Sequence, residues 1–472
     1  MRLRVLTSPP MSEPATPKRR WGRRIALFTA ILVLVVAVLA TRYVLPTATG
    51  YVAKLACSGH FVAGQTESRL RDEDFSRMAY VSFSFDEDAR RARATVFGLA
   101  AREAVYREGI GCALVVDADA AAVQAQGVEV PHADPSDAPW PAGDGPDPRP
   151  DPAGLDRDAL EAAIDTVFEE PDPDSMRWTR AVAVIWDGRL VAERYADWTS
   201  AEAPHLGWSM TKSVTNAIVG SLVLRGKLDV DAPAPVPEWA DDGRAEITLD
   251  ALMRMSSGLE FEERYGPLAD ATHMLFEVDD AASIARAKPL AHPVDTHFSY
   301  SSGTTNVLMW IVRQQFDSAD AYHRHPYEAL FEPLGMRTAV IETDAAGTFV
   351  GSSFMYASAR DWARFGQLYL QDGVWEGTRL LPEGWAKYSG TASHTAAQGE
   401  YAAQFWANAG DGRSRPDPDV PADAFKASGY QGQLVYIVPS RKAVIVRLGM
   451  THDRAAWDAN AFAAGVLAAL PQ

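Results

Sequence analysis

The stretch that decides the fold is GWSMTKSVTNAIVGSLVLRGKLDVD, residues 207–231. It opens on a polar turn, places Lys212 three residues after Ser209, and continues as an apolar run. Two readings compete. A serine at a helix start is an ordinary cap, and the lysine behind it would then be a solvated charge. The alternative is a nucleophile with its base, and three observations favour it. No other lysine of the chain has a serine three residues before it. The spacing puts both side chains on one helix face, at the end where the helix dipole favours a developing negative charge. Trp208 before and VTNAIVGSLVL after describe a helix buried on several sides. A lysine projected from it loses hydration, which lowers its pKa and suits it to act as a base.

Two further stretches carry candidate chemistry. In HFSYSSGTTNVLMWIV, residues 297–312, Tyr300 sits in a polar turn just before a helical pattern. In ASGYQGQLVYIVP, residues 427–439, Gly429 and Gly432 open a strand whose backbone N–H groups could point at an oxyanion. A structural tyrosine and a simple bulge explain each of these equally well in isolation.

The 472 residues are 47% hydrophobic with 13 Trp, so the chain can bury a large core, as one large domain or two. The formal net charge is −17 and no basic stripe interrupts the acidic background beyond the start, which excludes nucleic acid as a partner. At the start, Lys18, Arg19, Arg20, Arg23 and Arg24 precede IALFTAILVLVVAVLA, residues 25–40. We read a cytoplasmic basic tail over 1–24 and an uncleaved membrane anchor over 25–45, with the remainder outside the cytoplasm, periplasmic or extracellular. A signal peptide cleaved near Ala48-Thr49-Gly50 is the rival, and lipid attachment at Cys57 a third reading. Outside the cytoplasm the two cysteines, Cys57 and Cys112, are expected to form a disulfide, two unrelated buried thiols being the alternative.

Short strand-like runs over 51–125 read as a small accessory domain, and the Pro- and Asp-rich stretch 126–154 as an extended linker. Residues 155–472 form the main domain. AVAVIWDGRLVAERY is a hairpin turning at Asp187-Gly188, and GQLVYIVPSRKAVIVRLG a second one at Pro439-Ser440. With helical patterns at both ends, the economical architecture is α+β. An antiparallel sheet from both chain ends is covered by helices, with an inserted, mostly helical region.

Taken together and in this order, the three elements resemble the serine β-lactamase and penicillin-binding-protein superfamily, in its class C-like branch. The resemblance is closer to 6-aminohexanoate-dimer hydrolases and related β-lactamase-like serine hydrolases. It runs over about residues 155–470 and includes ITLDALMRMSSGLEFEERYG and LLPEGW. It implies a β-lactamase/transpeptidase-like fold, Ser209 as the acylated serine, Lys212 as its base and Tyr300 as the proton shuttle to the leaving group. It further implies an oxyanion hole from the backbone N–H groups of Ser209 and Gln433, with Ser302, Tyr430 and Gly432 at the substrate. Where class C enzymes carry Tyr-x-Asn this chain has Tyr300-Ser301-Ser302, and where they carry Lys-Thr-Gly it has Tyr430-Gln431-Gly432. The missing amide and cation put β-lactamase and D-Ala-D-Ala peptidase activity in doubt, while ester or small-amide hydrolysis needs neither.

The expected activity is therefore an extracytoplasmic serine hydrolase that forms an acyl-enzyme on an ester or small amide, with no cofactor and no metal. The alternatives are a catalytically silent penicillin-recognition-like binding or cell-wall-sensing protein, and a D-Ala-D-Ala peptidase or β-lactamase. His323 and His325 lack nearby ligand partners in sequence, so a metal site is not expected there. Asp270, His273 and Glu277 read as a solvated helix face, Asp361, Trp362 and Arg364 as packing, and Gly-x-Ser-x-Gly is absent.

Overall fold

The computed structural model describes Ser8 and residues 18–134 and 136–472. Most of the basic tail, residues 1–7 and 9–17, lies outside the described residues. Helix α1 (Lys18–Tyr43) covers the stretch read as an anchor and leaves Ile25, Leu27, Phe28, Ile31 and Leu32 exposed. Among the described residues no helix is long and apolar enough to cross a membrane, so the fold lends the expected span no support. Helix α2 (Leu45–Phe61) follows at once, with Pro46 in its first turn, where a missing N–H costs nothing.

The accessory region builds α3 (Glu67–Arg69), β1 (Ser82–Asp86), β2 (Arg91–Val96), β3 (Leu99–Arg107), β4 (Gly111–Val115) and α4 (Ala120–Gln124). Its strands form one antiparallel sheet in the order β1-β2-β3-β4, and α2 packs across it. Cys57 of α2 is joined to Cys112 of β4. The module does not own its core. Val52, Ala53, Ala56 and Leu114 pack in one cluster with Trp208, Met274, Phe276, Val350 and Phe354 of the main domain.

The described residues of 126–154 form no helix or extended strand, as their Pro and Asp content dictates, yet they are fastened down. Trp140 is buried in the main core, and Asp144 pairs with Arg337, Arg360 and the buried Arg364.

The main domain begins with α5 (Arg157–Phe168), β5 (Thr179–Trp186) and β6 (Arg189–Tyr195). Asp187 at φ 46° and Gly188 at φ 74° make the tight turn that matches strand twist. After β7 (His205–Leu206) comes α6 (Met210–Leu224). The helical insert runs through α7 (Leu249–Met253), α8 (Asp270–Phe276), α9 (Ala281–Arg286), α10 (Ser302–Arg313), α11 (Ala319–Pro326) and α12 (Glu332–Leu334). Strands β8 (Val340–Ile341) and β9 (Met355–Ala357) join β7 in a small sheet of order β7-β9-β8. Helix α13 (Ala359–Leu370), the ribbon β10 (Val374–Trp375) with β11 (Thr378–Arg379), and α14 (Trp385–Gly390) lead back to the main sheet. That sheet adds β12 (Trp406–Ala407), β13 (Phe425–Gly429), β14 (Gln433–Val438) and β15 (Ala443–Gly449), and α15 (Ala459–Ala469) closes the chain.

The main sheet is antiparallel, in the order β12-β13-β14-β15-β5-β6, and so is assembled from both ends of the domain. Its central strands are apolar throughout because both faces are covered. Ala183, Ile185, Val435 and Val446 face one core, beneath α6 and α13, while Val184, Tyr436 and Ile445 face the other, beneath α5 and α15. Each such buried Val or Ile side chain contributes about 1.5–3 kcal/mol. Helix α6 is buried from Met210 to Leu222, which makes it the central helix between the sheet and the insert.

Candidate active site

The site lies where α6 begins, between the edge of the main sheet and the insert. Trp208, just before it, holds φ 48°, a left-handed value rare for a bulky residue. Its ring fixes that strain. Trp208 Nε1 donates to Gln431 Oε1 at 2.9 Å, and the ring meets Tyr430 edge-on at 5.6 Å. The sharp turn hands over to Ser209, whose hydroxyl makes no capping bond to the helix and is left for other work.

Lys212, one turn on, is 1% exposed. Its Nζ donates to Ser209 Oγ at 3.2 Å, to Ser302 Oγ at 2.9 Å and to the Ser352 carbonyl at 3.0 Å, which accounts for all three ammonium hydrogens. Burial pulls its pKa down to about 8, against the carboxylate of Glu263, which pulls it up. A lysine in that range is charged often enough to be held and neutral often enough to accept a proton.

Tyr300 stands next to the α10 cap. Ser301 Oγ accepts from Thr304 N, so the helix starts at Ser302 and the tyrosine projects ahead of it. The ring is stacked on Trp406 at 5.2 Å and meets Tyr401 edge-on at 5.6 Å, with the Lys212 ammonium 4.8 Å from its centre. Burial holds the phenol well above its usual pKa, while a hydrogen bond with Ser209 lowers it. Ser209, Lys212 and Tyr300 thus meet at one point.

Three other expectations change. Ser302 is not at the substrate: it is fully buried, taking a hydrogen from Lys212 while its own Oγ and N donate to Glu263 at 2.6 Å each. Gly432 is likewise turned away. It lies in the tight turn Tyr430–Gly432, its carbonyl taken by the buried Arg447 at 3.0 Å. Gln433 is not at the oxyanion position either. It starts β14 opposite Gly429, inside the sheet, and its side-chain amide is clamped on the backbone of Gly449 in β15. The backbone that abuts the nucleophile is the Gly429 end of β13, beyond the two residues that the short edge strand β12 covers. A Cβ on Gly429 would stand 2.1 Å from the Gly207 carbonyl oxygen, so only glycine permits this approach. Tyr430, which follows it, remains 46% exposed beside Trp208.

Sequence reasoning missed Glu263 and Ser352. Glu263 is one of several acids in EFEERYG, and Tyr265 covers it by donating to Oε1 at 3.0 Å. Ser352 acts through its carbonyl, which no side-chain pattern announces.

The other candidates are structural. His323 Nε2 bonds the Gly347 carbonyl at 2.9 Å and His325 Nε2 the Ser221 hydroxyl at 3.0 Å. Among the described residues no group of three or more His, Cys, Asp or Glu could hold a metal ion. His273 pairs with Glu277, and Asp270 with Lys288. Asp361 and Arg364 form a buried pair at 3.2 Å.

The profile of the family described as Beta-lactamase matches residues 170–467. A 6-aminohexanoate-dimer hydrolase of Paenarthrobacter ureafaciens is 25% identical over 303 residues, covering 58% of this chain and 73% of that protein. Among solved structures, a Bacillus anthracis protein provisionally described as a 6-aminohexanoate-dimer hydrolase is 25% identical, with a TM-score of 0.52 over 66% of this chain and 80% of its own. SurE with D-Leu is 19% identical, with a TM-score of 0.51 over 66% of this chain and 75% of its own, which is a likeness of fold.

Proposed function

This chain belongs to the beta-lactamase family, and we propose that it is a serine hydrolase that forms an acyl-enzyme at Ser209 on an ester or small linear amide. The observation that carries this reading is the convergence of Ser209 Oγ, the buried Lys212 ammonium at 3.2 Å and the Tyr300 hydroxyl.

Neutral Lys212 takes the proton of Ser209 as its oxygen attacks the acyl carbon. The charge that develops on the acyl oxygen is met by the Ser209 N–H at the start of α6 and, in this reading, by the Tyr430 N–H leaving the β13 edge. Tyr300, held in its protonated form, hands a proton to the leaving group and is recharged from Lys212. Water then repeats the sequence on the acyl-enzyme. The likeness to two proteins described as 6-aminohexanoate-dimer hydrolases supports linear amides alongside esters as substrates.

We place the protein outside the cytoplasm. The Cys57–Cys112 disulfide supports this, since reducing compartments keep such thiols free. The apolar side chains that α1 leaves exposed support attachment to a membrane through that helix.

Fluorophosphonate labelling, with mass spectrometry of the modified peptide, tests the nucleophile. An adduct on the peptide containing Ser209, and turnover of short esters or linear amides, is the expected result. A labelled serine elsewhere overturns it.

A further inference from the structure

We infer that the N-terminal module is a working part of the catalytic centre, with Lys54 and Glu342 as positioning residues that hold the Ser352 carbonyl against Lys212. The inference rests on the serine-hydrolase reading above.

Glu342 immediately follows β8 and is fully buried. Every partner of its carboxylate comes from the module. Lys54 Nζ forms an ion pair with Oε2, Ser58 Oγ donates to Oε1 at 2.9 Å, and Cys112 N donates to Oε1 at 2.7 Å. Lys54 and Ser58 are on α2 and Cys112 is on β4, the two elements that the disulfide joins. The bridge thus fixes the geometry of the cradle that receives the glutamate.

From Glu342 the constraint runs into the loop 343–354. Glu342 N donates to Phe354 O at 2.8 Å, which closes the base of the loop, and Val350 N donates to Glu342 O at 2.9 Å, which ties its middle back to the same residue. The Lys54 ammonium lies 4.1 Å from the centre of the Phe354 ring. Arg107, buried in β3, donates to the carbonyls of Thr343 and Asp344 at 2.8 and 3.1 Å. At the crest of this loop the Gly351 carbonyl accepts from Thr215 of α6 and the Ser352 carbonyl from Lys212. A second contact reaches the other side of the nucleophile, where Tyr51 of α2 stacks on Trp208 at 6.4 Å. The module thus touches Trp208 directly and bears on Lys212 through the loop that carries Ser352.

The consequence is chemical. A carbonyl that accepts from an ammonium stabilises its charged form. Lys212 is faced by Ser209, the Tyr300 ring, Ser302 with Glu263 behind it, and the Ser352 carbonyl. Loosening the last of these misplaces the base and lowers its pKa.

The test is the rate constant of fluorophosphonate labelling per titratable site, measured on the full chain from about pH 6 to 10 across the range in which a lysine base titrates. For Glu342→Gln, which leaves Lys54 without its counter-charge, the plateau should fall about tenfold, and the acid limb should move to lower pH. Ser58→Ala, which deletes one donor to the same carboxylate and leaves the ion pair, should change both in the same direction by a smaller amount. It serves if the first variant does not fold. A purely structural role reduces the number of titratable sites and leaves both the limb and the per-site rate where they were. That outcome, in either folded variant, overturns the inference alone. Failure of the parent chain to be labelled at all sinks the serine-hydrolase reading and this inference with it.

Discussion

Lys212 Nζ lies 2.9 Å from Ser302 Oγ and 3.2 Å from Ser209 Oγ, so in the resting site the base is bound more closely to its relay than to the nucleophile. The Ser302 hydroxyl in turn donates a hydrogen bond to Glu263, which puts a carboxylate at the end of the line. That carboxylate steadies the lysine as a cation, and catalysis has to work against it. Glu263→Gln should therefore move the acid limb of kcat/KM from near 8 to lower pH, because the carboxylate is what raises the Lys212 pKa while burial depresses it. A limb that moves upward, read from pH–rate profiles on a p-nitrophenyl ester, would reverse the assigned role.

Ser209→Ala should abolish fluorophosphonate labelling and turnover. Its hydroxyl caps nothing, so thermal unfolding should show a loss well below the ~1 kcal/mol of a working cap. Parental hydrolysis of p-nitrophenyl acetate by the purified variant, free of contaminating esterase, would remove Ser209 from the mechanism.

Lys212→Met should slow acylation on the order of 10²–10⁴-fold and at the same time stabilise the fold. The folded-state pKa near 8 lies below the ordinary 10.5, so the buried lysine costs stability fully below about pH 8 and nothing once pH exceeds the unfolded value. The gain in the variant should be roughly 1–3 kcal/mol at pH 7 after the lost hydrogen bonds, shrinking toward zero above about pH 10.5. Denaturant titration at two pH values reads this directly; a variant less stable than the parent at neutral pH contradicts it.

Tyr300→Phe keeps the ring in its stack on Trp406 and removes only the proton donor. Linear amides, whose amine leaving group needs a proton, should lose on the order of 10²-fold or more in kcat, and p-nitrophenyl esters much less. Equal losses on both classes would assign the hydroxyl to something other than leaving-group protonation.

Short-chain p-nitrophenyl esters should have a higher specificity constant than nitrocefin or penicillin G. The stretch Ala427–Gly432 carries no cation, so a β-lactam carboxylate finds no charge-assisted partner there. Comparing the two substrate classes on one preparation settles the order, and a β-lactam preference would refute it.

The parts that were legible from sequence are those in which a side-chain type or a turn type does the work. Ser209, Lys212 and Tyr300 are required as chemical groups, and Asp187-Gly188 as a turn, so each leaves a mark at its own position. Gln433 and Gly432 were misplaced for a geometric reason: a glycine-containing stretch does not reveal where the strand stops. The turn falls at Tyr430–Gly432, which hands the exposed edge to Gly429. Proximity in sequence to Tyr300 puts Ser302 near the substrate, whereas its hydroxyl is held between Lys212 and Glu263. Lys54 and Glu342 are 288 residues apart, and nothing local distinguishes either from a surface charge.

The pairing of β5 with β15 also bears on how the molecule comes into being. Strand β5 is made well before its partner β15, with the whole helical insert between them, and Asp156 N donates to the carbonyl of Ala469 across the same separation. Until β15 is made, the β5 edge opposite β6 is unpaired, and the loop to be closed is long. The β5–β15 pairing is therefore a late step, and the main sheet closes only after the helical insert between these strands has been made.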